Sequence, residues 1–82
     1  MWYHYEVDFF TFVICSHPDE EGHWLLVIND HNLGTYKSPD DAAAAAHNQH
    51  TGFNAWDFKV NVSVPIHLED WKQGPPSPYE VQ

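Results

Sequence analysis

Apolar and polar positions alternate from the start of the chain and then change phase. Tyr3, Tyr5, Val7 and Phe9 alternate with His4, Glu6 and Asp8, the period-two signature of a half-buried strand. At Phe9-Phe10 the phase flips, and Phe10, Phe12 and Ile14 carry the alternation on. A β-bulge accounts for the flip, as does a run that is apolar on both sides. Pro18 to Gly22 is a polar, acidic loop, and Trp24 to Ile28 reads as a second strand. The turn residues Asn29-Asp30-His31-Asn32 then lead through Leu33-Gly34 into Thr35-Tyr36, a short third strand or the bent end of the second.

The period then changes. Ser38 is suited to accept a backbone N–H as a helix N-cap, Pro39 fits the first helical position, and Asp40 and Asp41 favour the positive end of the helix dipole. Five alanines at 42–46 have the highest helix propensity and let the helix axis come close to a sheet. Gly52 is expected to close the helix in a left-handed cap, with Phe53 making the accompanying apolar contact. From Ala55 to Val64 alternation returns: Trp56, Phe58, Val60, Val62 and Val64 share one face, and Asp57, Lys59, Asn61 and Ser63 the other. The expectation is a long strand, apolar on one side and wet on the other.

These elements predict an α+β domain: a three- or four-stranded antiparallel sheet with one alanine-rich helix packed on one face, in the order β-β-(β)-α-β. The domain spans 1–73, followed by a Pro-rich, disordered C-terminal tail at 74–82. A ten-residue strand runs about 33 Å. A helix of about twelve residues covers only about 18 Å. The helix alone therefore leaves apolar sheet uncovered. Phe10, Phe12, Val62, Val64 and Ile66 are the residues left for the C-terminal segment or a second copy of the chain to cover, and a homodimer interface is expected there.

Composition narrows the function classes. With 43% hydrophobic and 16% aromatic residues the chain is globular, and its core is made of a few large rings. Twelve carboxylates face three lysines and no arginine, for a formal net charge of −9. Such a surface repels phosphate backbones and anionic lipid, so neither direct nucleic-acid binding nor membrane association is expected, and a basic protein partner is. The lone Cys15 sits in the apolar run Phe12-Val13-Ile14-Cys15 and reads as a small buried hydrophobe. The first residues lack a basic signal-peptide region and no run reaches membrane-span length, which leads to the expectation of a cytoplasmic protein.

Candidate chemistry comes from seven histidines. His47 and His50, three apart on a helix, would share a face and reach one metal ion; His17 and His23 flank Asp19-Glu20-Glu21 and add nitrogen and oxygen ligands. No phosphate loop, nucleophile elbow or paired-cysteine signature accompanies them. No cofactor is implied, and no catalytic residue is assigned. The reading is a small acidic non-catalytic interaction or regulatory module, homodimeric; the alternative is a histidine-based metal- or small-ligand-binding protein.

Overall fold

The computed structural model describes residues 2–74. Strands β1 (Trp2–Val7), β2 (Phe10–Ser16), β3 (Trp24–Ile28) and β4 (His31–Tyr36) form a continuous meander, followed by helix α1 (Pro39–His47) and a one-turn helix α2 (Asn54–Asp57). A 3-10 turn at Leu68–Asp70 precedes the two-residue strand β5 (Lys72–Gln73). The sheet order is β4-β3-β2-β1-β5, and every neighbouring pair is antiparallel. The protein is thus an α+β domain with one main helix packed on its sheet, with five strands rather than three or four.

The extra strand comes from the phase flip at Phe9-Phe10, which is a hairpin turn and not a bulge. Val7 pairs with Phe10, so Asp8 and Phe9 are the two-residue loop. Asp8 takes a left-handed φ of 51°, which its short polar side chain tolerates. The second hairpin turns at Asn29 and Asp30, at φ 50° and 69°, the paired positive values of a type I′ turn. Asn29 ties the two hairpins together: its carboxamide accepts from the Thr11 N–H at 2.9 Å and donates to the Phe9 carbonyl at 3.2 Å. A bulge between Leu26 and Val27 bends β4, leaving Leu33 as the extra residue.

Helix α1 begins as expected, with the Ser38 hydroxyl accepting from the Asp41 N–H at 3.1 Å and Pro39 in the first turn. It ends earlier, at His47. Gln49, at φ 57°, takes the left-handed position in place of Gly52. The Gln49 N–H donates to the Ala46 carbonyl and the His50 N–H to the Ala45 carbonyl, the paired bonds of a Schellman ending.

The strand expected at 55–64 does not form. Residues 54–57 make α2 instead, and 58–67 run as irregular backbone. Burial of Trp56 decides this outcome. Its indole stands edge-on to Phe10 and Phe12, with ring centres 5.2 and 4.7 Å away, and donates to the Ala46 carbonyl at 2.9 Å. Trp71 packs beside Phe12 and Tyr5 and donates to the Pro65 carbonyl at 2.7 Å. Helix α1 supplies Ala42, Ala43 and Ala46 to the same core, over Phe12, Ile14, Leu26 and Ile28. One thin helix and two indoles together roof the sheet.

That roof corrects the expected interface. Phe10, Phe12 and Val64 lie inside the single chain, and Val62 packs half-buried against the same core. Cover comes from the C-terminal half of the same chain, and of the five residues only Ile66 stays exposed. The Pro-rich segment expected at 74–82 lies, apart from Gly74, outside the described residues. Gly74 itself is anchored on β1: its N–H donates to the Trp2 carbonyl and its carbonyl accepts from the His4 ring, both at 2.7 Å.

Candidate interaction surface

The expected metal ligands are dispersed, and Nδ1 of His47, His17 and His23 each has a partner within the chain. Since α1 stops at His47, His50 lies past the left-handed Gln49 and shares no helix face with it. His47 donates its Nδ1–H to the Val64 carbonyl at 2.7 Å, pinning the irregular segment to the helix end. His17 and His23 close the mouth of the β2–β3 loop, where the His17 N–H meets the His23 carbonyl at 2.9 Å. Within that loop the His17 Nδ1 accepts from the Asp19 and Glu20 N–H groups, each at 3.0 Å, so this nitrogen carries no proton. The His23 Nδ1 faces the Glu21 carbonyl at 3.4 Å and the Glu20 carboxylate at 4.0 Å. Among the described residues no group of three or more His, Cys, Asp or Glu is gathered to hold a metal ion.

Polar chemistry concentrates instead between the two helices. The Asp57 carboxylate accepts from the Thr51 N–H at 3.0 Å, the Thr51 hydroxyl at 2.7 Å and the Gly52 N–H at 2.7 Å. The Thr51 hydroxyl in turn accepts from the Phe53 N–H at 3.1 Å. These bonds fold Thr51–Asp57 into a closed turn and seat Trp56 over the core. Burial pushes the Tyr36 phenol above its ordinary value, and the Asp57 carboxylate adds to the shift. On β2, burial likewise raises the Cys15 thiol. A raised thiol is a poor nucleophile.

Immediately after this turn the chain presents its most exposed apolar pair. Phe58 is 79% exposed and Val60 74% exposed, on either side of Lys59. The backbone of Phe58 and Lys59 is held firmly. The Phe58 N–H donates to the Asn54 carbonyl and the Lys59 N–H to the Trp56 carbonyl. The Gln49 carboxamide reaches out of the helix ending to bind the Trp56 and Lys59 carbonyls at 2.8 and 2.6 Å. An aromatic ring and a valine are thus displayed to solvent on a braced scaffold. Phe9, 91% exposed at the β1–β2 turn, is a further displayed ring.

Alternation had assigned Phe58 and Val60 to a buried face with Trp56. What separates them is Asp57, whose hydrogen bonds make a helical turn and send the chain off in a new direction. An Asp three residues after a Thr-Gly-Phe-Asn turn sequence is the one local signal that argued against a strand.

Comparison with known proteins finds no matching family, no similar curated protein and no similar solved structure. Among the described residues no helix is long and apolar enough to cross a membrane.

Proposed function

We propose that this chain is a non-catalytic protein-interaction module whose contact surface is built on Phe58 and Val60. The observation that carries the reading is their exposure on a backbone fixed by Gln49 and the Thr51–Asp57 turn. Aromatic side chains held out in water on rigid supports are the material of interface hot spots, because little entropy is lost when a partner covers them. Ile66 extends the apolar character of the same irregular segment.

The test is photocrosslinking with p-benzoyl-phenylalanine in place of Phe58, in the cells that make the protein. A discrete adduct that disappears when Val60→Asp is added supports the reading. No adduct, or one indifferent to Val60→Asp, contradicts it.

A further inference from the structure

The β2–β3 loop, residues 17–23, is built around a histidine that serves as a hydrogen-bond acceptor. Pro18 carries no N–H, so the first donors after His17 are the Asp19 and Glu20 amides. Both donate to the His17 Nδ1, each at 3.0 Å. The Glu20 carbonyl then accepts from the His23 N–H at 3.1 Å, and the His23 carbonyl accepts from the His17 N–H at 2.9 Å. These bonds close on one another, and two of them rest on a single ring nitrogen.

In turns of this kind the acceptor is commonly an Asn, Asp or Ser oxygen, which stays an acceptor around neutral pH. An imidazole does not. One proton on Nδ1 turns the acceptor into a donor, and histidine is the side chain whose charge ordinarily changes between about pH 5 and 8. A charged His17 sets an N–H against two N–H groups. The surroundings give such a ring other partners. Asp19, Glu20 and Glu21 are exposed in the same loop, and the Glu20 carboxylate stands 4.0 Å from the His23 Nδ1. On the neighbouring strands Trp2 pairs with Cys15 and Tyr36 with Trp24, and Lys37 follows Tyr36. Carboxylates thus outnumber cations around the loop.

We infer that the β2–β3 loop is an acid-opened clasp: protonation of His17 releases the Asp19 and Glu20 N–H groups and turns the ring toward the loop carboxylates. The opening is confined to the loop, because β2 and β3 remain paired from Ser16 and Trp24 inward. It is independent of the surface at Phe58 and Val60.

Nitrogen-15 spectra and amide hydrogen exchange across the range of about pH 8 to 5 test this. At the upper end the His17 ring is expected as the Nε2–H tautomer. As the ring takes its second proton, the Asp19 and Glu20 amides are expected to shift along the same titration curve. Their protection, relative to open-chain rates, falls about tenfold, the equivalent of one hydrogen bond. The Ile14 and Leu26 amides keep theirs. His17→Asn supplies a permanent acceptor and removes the step, whereas His23→Gln removes only the neighbouring ring and leaves it. An Nδ1–H tautomer at the upper end overturns the inference. So do Asp19 and Glu20 amides that stay protected once His17 is charged, and so does a step that survives His17→Asn or vanishes with His23→Gln.

Discussion

The indole N–H of Trp56 donates to the backbone carbonyl of Ala46 at 2.9 Å, inside the core. Ala46 lies in the last turn of α1, and its carbonyl, which also accepts from the Gln49 N–H, offers a second lone pair to the indole. One side chain therefore fills the space that the alanine face leaves beside Phe10 and Phe12 and is also tied to the helix end. Trp56→Phe keeps most of the ring but removes the donor, and is expected to cost about 1–3 kcal/mol. Trp56→Ala adds a cavity and is expected to cost about 3–5 kcal/mol. Urea unfolding followed by circular dichroism measures both; equal stabilities for Trp56→Phe and wild type contradict the assignment.

Asp57 holds the turn that places Trp56. Asn at this position keeps the shape, but its amide nitrogen turns a donor toward N–H groups that need an acceptor. Asp57→Asn is expected to destabilise by about 1–3 kcal/mol. It also removes the carboxylate that helps to raise the Tyr36 phenol. Ultraviolet titration of the variant should show Tyr36 ionising at lower pH than in wild type, still above the ordinary value because burial persists.

Alkaline pH should loosen the fold. The Cys15 thiol and Tyr36 phenol are raised above their ordinary values of 9.0 and 10.0. Between the ordinary and raised values the unfolded chain gives up protons that the folded chain keeps, so stability falls as pH rises. The loss begins near pH 9 with Cys15 and continues through the tyrosine range. Urea midpoints from pH 7 to 11 should decline, with the first part of the decline absent in Cys15→Ala. A midpoint that rises over this range contradicts the shifts.

His17 organises the β2–β3 loop through an unprotonated Nδ1 that accepts two backbone N–H groups. Asn offers an oxygen at a similar reach, whereas Ala offers none. In nitrogen-15 spectra the Asp19 and Glu20 amides should shift strongly in His17→Ala and little in His17→Asn. The stability lost in His17→Ala should be about 1 kcal/mol, since the loop is exposed. Equal shifts in both variants contradict an acceptor role.

Local chemistry made much of this fold readable in advance. Ser38-Pro39 and the following alanines announce α1, whereas alternation through Tyr3–Val7 and Phe10–Ile14 reads as one strand with a bulge or a two-sided apolar run at Phe9-Phe10, where the structure turns a hairpin at Asp8 and Phe9. The irregular segment was not legible, because Trp56, Phe58, Val60, Val62 and Val64 alternate as a strand does. Tertiary burial of a single indole outweighs that pattern, since Trp56 is fully buried against Phe10 and Phe12 with its N–H bonded to the Ala46 carbonyl. The candidate histidines are not brought into one group, for a different reason. Spacing along the chain does not reveal that the His47 Nδ1–H is bound to the Val64 carbonyl or that α1 stops before His50. The displayed Phe58 and Val60 became visible only once the turn at Asp57 was in place.

Two indoles roof the sheet, and the N–H groups of residues 60–63 are left without acceptors among the described residues. Amide and indole hydrogen exchange in dilute solution reads both features in one experiment. A strongly protected Trp56 indole N–H and rapid exchange at Val60, Asn61, Val62 and Ser63 are expected. Protected amides at those four positions in the single chain, with cross-strand contacts to β1, would contradict this.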